Sequence, residues 1–162
     1  MNKRIILYIL PLFLILYVFI PKRTLTELPT IQSITLADSI PVEYYRQLTV
    51  VEKQGNRIVE NGKVVTYLEY ETDPDQLLKT IARLPFSMHA VRADTTCLEI
   101  GFYGFEAVRN SLSESELQAG AYYWSVKPED YQRFECVKGN EKHTLLIRKD
   151  SDQVMHRIEY TS

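Results

Sequence analysis

The clearest indication of covalent chemistry in the sequence comes from its two cysteines. Cys97 and Cys136 are the only thiols in the chain, and 39 positions separate them. That spacing is too long for a CxxC redox motif. Each cysteine also lies off the apolar stripe predicted for its own element, where a thiol that merely fills a core is less expected. The sequence therefore predicts a disulfide, with two core thiols as the alternative.

Three histidines are the candidates for metal binding or proton transfer. His89, His143 and His156 have no zinc-ligand spacing among themselves or with the cysteines, and no HExxH motif is present. His156 alternates with apolar residues, which favours a hydrogen-bonded core histidine over a catalytic base. Ser113 is explained by helix capping, and no GxSxG motif exists. We expect no metal or cofactor, and the sequence contains no recognisable catalytic motif.

Clustered aromatic residues are the candidates for binding. Tyr122, Tyr123 and Trp124 are consecutive, and Tyr103 and Tyr131 belong to two further clusters. Tyr and Trp bury a large area while keeping one polar tip, which suits a surface that binds protein, peptide or glycan. These five residues are the predicted binding residues. Core packing with ordinary strand enrichment is the alternative.

Period-two patterns predict the strands that would position these residues. One hairpin is expected near 48–71, turned at Asn61-Gly62, and a second near 143–160. Residues 95–103 alternate as a half-buried strand whose apolar face carries Leu98. Residues 121–126 are also expected to form a strand, which would point Tyr122 and Tyr123 to opposite faces.

Capping residues predict the helices. Asp73 is the expected N-cap of a helix that begins at Pro74 and ends before Pro85. Further short helices are predicted over 105–112, 113–120 and 128–138, the last with a period-two strand as the alternative. Strands mixed with short helices, without regular βαβ alternation, indicate an α+β domain with an antiparallel sheet.

An apolar segment precedes this domain. Residues 5–20 read IILYILPLFLILYVFI, without a charged side chain, and Arg4, Lys22 and Arg23 flank them. A helix of this length spans about 24 Å at about 1.5 Å per residue, and the flanking cations can extend their stems to the headgroups. A cleaved signal peptide is the alternative, but no small-residue cleavage site follows the run. We therefore expect an uncleaved transmembrane helix.

These patterns predict the organisation of the chain. Residues 1–23 are expected to form a cytoplasmic tail and membrane anchor, 24–41 a linker, and 42–162 a single extracytoplasmic domain. Within the linker, the apolar residues of 31–36 offer an edge strand as the alternative. A short tail before a lone apolar segment most simply leaves the tail in the cytoplasm. We thus expect a single-pass bacterial inner-membrane protein with its domain in the periplasm.

The charge of the domain limits its partners. Subtracting the four cations of residues 1–23 from the 19 basic residues leaves 15 against 21 acidic ones, a net charge of −6. An acidic domain repels phosphate backbones, which argues against a nucleic-acid binder and is compatible with a basic protein partner. We therefore expect a non-catalytic envelope protein that binds another macromolecule, either as an assembly factor or as an inhibitor of the immunity type. An envelope hydrolase, with a site assembled from distant residues, and a small-ligand or glycan-binding sensor are the alternatives.

Overall fold

The computed structural model describes residues 29–39, 48–60, 62–83 and 97–161 of the 162. Its strands are β1 (Thr30–Ser33), β2 (Val51–Glu60), β3 (Lys63–Glu71), β4 (Leu98–Ile100), β5 (Tyr131–Lys138), β6 (Glu141–Arg148) and β7 (Gln153–Thr161). They form one antiparallel sheet in the order β1-β2-β3-β7-β6-β5-β4. The predicted antiparallel sheet with short helices is confirmed.

Both predicted hairpins are present and are joined at the centre of the sheet. β2 pairs with β3 from Val51 opposite Glu71 to Glu60 opposite Lys63, and Gly62 takes the positive φ of 76° that this tight turn requires. β6 pairs with β7 in the same antiparallel manner. The central pairing is between β3 and β7, so the two hairpins form one continuous ladder.

Helices cover both faces of the sheet. Helix α1 (Pro74–Arg83) packs on one face, while α2 (Phe105–Asn110), α3 (Glu114–Ala119) and α4 (Ala121–Trp124) pack on the other. Two 3₁₀ turns span Leu36–Asp38 and Pro128–Asp130. The predicted caps hold: Asp73 accepts the Gln76 N–H at 3.1 Å, and Ser113 accepts the Glu116 N–H at 3.1 Å. Pro85 lies outside the described residues.

Two hydrophobic cores follow from this arrangement. The α1-side core is built from Leu77 and Ile81 of the helix against apolar side chains of the sheet such as Leu68 and Leu145. The opposite core, here called the aromatic core, is rich in rings, and its buried residues are Ile58, Val65, Tyr67, Phe105, Ala119, Tyr123, Trp124, Tyr131, Leu146 and Met155. Alternation along each central strand supplies both cores, since successive side chains point to opposite faces.

Two predicted elements are wrong in type. Residues 121–126, expected as a strand, contain helix α4, which buries both Tyr123 and Trp124 in the aromatic core. Residues 128–138, expected as a helix, are a 3₁₀ turn followed by β5. The 131–138 stretch tolerates either period, and pairing with β6 along its whole length decides for the strand. The period-two alternative is therefore the correct one.

The strand predicted over 95–103 is shorter, and its faces are reversed. Only Leu98–Ile100 pair with β5, and residues 95 and 96 lie outside the described chain. Leu98, expected on the buried face, is 60% exposed, whereas Cys97 packs against the α1-side core. The physical reason is the bond from Cys97 to the fully buried Cys136, which fixes the cysteine side of the strand toward the core.

The segment before β2 contributes to the sheet. β1 pairs with β2 at the sheet edge, as the alternative interpretation of residues 31–36 expected, and Leu36 is buried in the α1-side core. The predicted membrane segment, residues 5–20, lies outside the described residues. Within the described ranges no helix combines the length and apolarity needed to cross a bilayer.

Candidate functional site

An open cavity of about 220 Å³ lies between the sheet and helices α2 and α4. Its apolar wall includes three rings of the aromatic core, those of Phe105, Tyr123 and Trp124. Val108 of α2 also lines it and is 42% exposed. The opposite wall is polar and is formed by the side chains Lys63, Arg133, Lys142, Thr144, Arg157 and Glu159. We call this feature the cation-lined cavity.

Strand alternation and register bring the polar wall together. Thr144 of β6 lies opposite Arg157 of β7, and Lys142 lies opposite Glu159. Because side chains two positions apart on a strand share a face, both pairs point to the same side of the sheet. Arg133 of β5 extends this row by one strand. Residues distant in sequence thus become neighbours on one face.

A buried polar network is centred on Arg157, which lines the cavity. Arg157 pairs with Glu116 at 2.8 Å and with Glu159 at 2.6 Å. The Tyr67 hydroxyl donates to Glu116 at 3.0 Å and accepts from the Trp124 indole N–H at 2.9 Å. Burial raises the pKa of Tyr67 well above its ordinary value, so the phenol stays protonated and can donate. The arginine is thereby fixed between two carboxylates.

Two lysines at the cavity are also paired with carboxylates. Lys63 lies 3.5 Å from Glu116 and 3.5 Å from Glu159, and Lys142 lies 2.8 Å from Glu135. Burial opposes ionisation of Glu159, but the nearby cations outweigh it and lower the pKa of this carboxyl group. Glu159 is therefore ionised at neutral pH, and the lysine charges are largely compensated.

Arg133 has a different environment. Its Nη1 donates to the Gly101 carbonyl at 3.3 Å, and its guanidinium carbon lies 5.7 Å from the centroid of the Phe105 ring. Across the described parts of the chain, no carboxylate lies within ion-pair distance of this guanidinium. The uncompensated positive charge of the cavity wall is therefore that of Arg133.

The five predicted binding residues occupy different environments. Tyr123, Trp124 and Tyr131 are buried in the aromatic core, although the first two also line the cavity. Tyr122 is partly buried against the same core. Tyr103 is fully exposed, in the turn that leads into α2. The structure therefore brings Tyr123 and Trp124 to one site, and core packing accounts for much of the clustering.

The cations of the cavity were not among the residues predicted for binding. Lys63, Arg133, Lys142 and Arg157 lie on four different strands, so no local spacing relates them. The available signal was weak: Arg157 and Glu159 alternate with the apolar residues of the last strand, which places two opposite charges on one face. Strand order, which the sequence does not specify, supplies the rest.

The described histidines form a buried chain on the other side of the sheet. His143 Nδ1 lies 3.0 Å from His156 Nε2, and His156 Nδ1 lies 3.0 Å from the Tyr70 hydroxyl. His143 Nε2 is 3.5 Å from a Glu141 oxygen. Burial and then the neighbouring His143 lower the pKa of His156 well below its ordinary value. The prediction of a hydrogen-bonded core histidine is confirmed for His156, while His89 lies outside the described residues.

The predicted disulfide is present. Cys97 and Cys136 are bonded, with their Cα atoms 4.4 Å apart. The register of β4 and β5 places the two cysteines directly opposite each other, since the next pair is Leu98 with Glu135. The bond confirms the pairing but not its rationale, because Cys136 is fully buried in the α1-side core. It attaches the edge strand to the centre of the domain.

Fold and site together define an antiparallel α+β domain with a cation-lined cavity on one face of its sheet. The sequence matches no protein-family model and no curated protein, and the fold matches no solved structure, at a significant level. Among the described residues, no group of three or more His, Cys, Asp or Glu side chains is arranged to hold a metal ion. The chain's own residues are therefore the basis for inferring its function.

Proposed function

We propose that this chain is a non-catalytic protein of the bacterial envelope that binds another macromolecule through the surface around the cation-lined cavity. An assembly factor and an inhibitor of the immunity type both fit this role. The observation that carries the proposal is the open cavity itself, which combines an aromatic wall with an uncompensated Arg133. Aromatic and arginine side chains are the groups most enriched at binding hot spots.

Exposed apolar groups near the cavity support a macromolecular partner. Val108 lines the opening, and Tyr103 is fully exposed in the turn at the start of the same helix. Exposed apolar side chains beside a pocket are typical of surfaces that bind proteins. The acidic net charge of the domain suits a partner that is basic overall, while the cavity favours one acidic group within that partner.

The buried histidine chain supports binding over catalysis. His143 and His156 have no exposed surface, and each is hydrogen bonded within the chain. A substrate would reach them only after rearrangement of the α1-side core. Catalytic histidines instead need a reacting group within hydrogen-bond distance.

For the location, we propose a single-pass inner-membrane protein with a periplasmic domain, anchored by residues 5–20. The apolar run and its flanking cations support the anchor, and the Cys97–Cys136 bond suits an oxidising compartment. We expect the native chain to stay in the membrane after carbonate extraction with an intact N-terminus by mass spectrometry. Recovery of a trimmed, released domain would contradict the anchor.

A capture experiment tests the binding role. Full-length chain, cross-linked in membranes and purified, is expected to recover a partner. Val108→Glu should reduce that recovery about tenfold, because it places a charge among the apolar groups of the proposed binding surface, and the cores of interfaces are depleted of charged residues. Val51→Glu is the matched control, since Val51 is 57% exposed and does not line the cavity. Equal recovery with both variants would contradict a binding surface at the cavity.

A further inference from the structure

The Arg133 guanidinium presents one edge that has no acceptor. Nη1 is used by the Gly101 carbonyl, whereas Nε and Nη2, which lie together on the other edge, have no hydrogen-bond partner in the described residues. Nε is also shielded from solvent. A shielded donor without an acceptor is destabilising, because its lost hydrogen bond to water is not replaced. Because Nε has no accessible surface in this conformation, a ligand oxygen accepts from both nitrogens only after the side chain shifts toward the cavity, and that pairing replaces the missing hydrogen bond.

The geometry of this edge selects a type of ligand. Two parallel N–H groups match the two oxygens of one carboxylate, and such bidentate pairs are among the stronger hydrogen bonds in proteins. The surrounding charges favour a monoanion, because the other three cations that line the cavity already have carboxylate partners. A dianionic phosphate would in addition face the ionised Glu159 in the same wall.

The aromatic wall adds a second requirement. Phe105 and Trp124 stand 5.0 Å apart, centroid to centroid, and both line the cavity with Arg133. Apolar atoms attached to the carboxylate would pack against these rings and bury further area. A carboxylate carried on an apolar or aromatic group therefore fits better than a small inorganic anion.

We infer that the cation-lined cavity binds a carboxylate of the partner protein, held at both oxygens by Nε and Nη2 of Arg133, with adjacent apolar atoms against Phe105 and Trp124; this rests on the proposed function. The carboxylate is either an acidic side chain or a C-terminus. Both sources share the same chemistry.

The test uses the full-length chain in detergent with ¹⁵N-labelled arginine and sodium phenylacetate as the probe. We expect the Nε–H resonance of Arg133, identified by its absence in Arg133→Lys, to shift on titration. Arg133→Lys should weaken binding about tenfold or more, because lysine cannot form the bidentate pair. Arg148→Lys is the control, since Arg148 pairs with Asp150 and does not line the cavity. Neutral phenylacetamide should leave the resonance in place.

Equal binding of phenylacetate to Arg133→Lys and wild type would overturn the inference, and so would tighter binding of inorganic phosphate than of phenylacetate. Two peptides separate the carboxylate sources: one has a free C-terminus and no acidic side chain, the other a glutamate and an amidated C-terminus. Binding of either with loss in Arg133→Lys supports the inference. If phenylacetate fails to bind while Val108→Glu still reduces partner capture, the inference fails and the proposed function stands.

Discussion

Gly120 lies directly against the ring of Tyr67. A Cβ atom at position 120 would stand 2.5 Å from Cε1 and 2.6 Å from Cζ of that ring. The ring has little freedom to move, because its hydroxyl bonds to Glu116, Trp124 and Arg157. Gly120 has a φ of −105°, which any residue adopts, so space and not backbone conformation selects glycine here.

Gly120→Ala should therefore destabilise the domain by about 1–3 kcal/mol through overpacking. Gly101→Ala is the matched control, because the nearest atom to a Cβ there is 3.9 Å away. Urea unfolding of the full-length chain in nonionic detergent, followed by fluorescence of the single and buried Trp124, measures both. Equal urea midpoints for the two variants would contradict this prediction, because the Tyr67 ring would then move aside without a loss of stability.

The buried ion pair between Arg157 and Glu116 leads to a second prediction. Arg157→Met leaves the buried Glu116 carboxylate with Lys63, at 3.5 Å, as its one remaining ion-pair partner among the described residues, and we expect a loss of about 3 kcal/mol. Arg148→Met removes an exposed pair and should cost about 0.5 kcal/mol or less. Combining Arg157→Met with Glu116→Gln should cost less than the sum of the two single changes, since no unpaired charge remains. Additive losses in this double-mutant cycle would argue against a direct coupling.

The disulfide makes a third prediction. In the chain-entropy model, a bond that closes a loop of 39 residues restricts the unfolded chain and so stabilises the folded state by about 4 kcal/mol. Replacing both Cys97 and Cys136 by alanine should therefore lower the urea midpoint, and a reducing agent should do the same to the wild type but not to the variant. Non-reduced peptide mapping should recover Cys97 and Cys136 in one linked peptide. Free thiols in the native protein would contradict both the bond and an oxidising location.

Local chemistry explains which elements the sequence predicts. The Asn61-Gly62 turn signal and the Asp73 cap each depend on residues that are neighbours in sequence, and the hairpin and the helix that they predict both form. Helix α4 and strand β5 are decided by distant partners instead. Tyr123 and Trp124 reach the aromatic core only as a helix, and β5 is held by β6 on one side and β4 on the other.

The same distinction applies to the candidate site. Aromatic clustering predicts Tyr123 and Trp124 as binding residues, and both line the cavity. The role of Arg133 depends on strand order, on the position of Phe105 above its guanidinium, and on carboxylates that pair with the other cations instead. A sequence reports charge but not which charges compensate each other. That information exists only in the folded sheet.

The fourth prediction concerns pH and follows from His156. This residue is fully buried, and His143 and Tyr70 are its hydrogen-bond partners. Glu141 lies 3.5 Å from the other side of the His143 ring. The pKa of His156 is well below the ordinary value of 6.5. The folded state therefore keeps the imidazole neutral, while the unfolded state takes up a proton below about pH 6.5. Because the unfolded state then binds more protons, stability falls as the pH falls.

Between pH 7.5 and 5.5 this single histidine should remove about 1.4 kcal/mol of stability, because burial holds its pKa in the folded state well below the ordinary value. The change appears as a lower urea midpoint at pH 5.5, by Trp124 fluorescence. His156→Gln cannot take up this proton, so the difference between its stabilities at the two pH values should be smaller than in the wild type by that amount. Glu159 titrates below this window, because its pKa lies under its ordinary value of 4.5. Parallel pH profiles for wild type and His156→Gln would show instead that the buried imidazole is protonated in the folded protein.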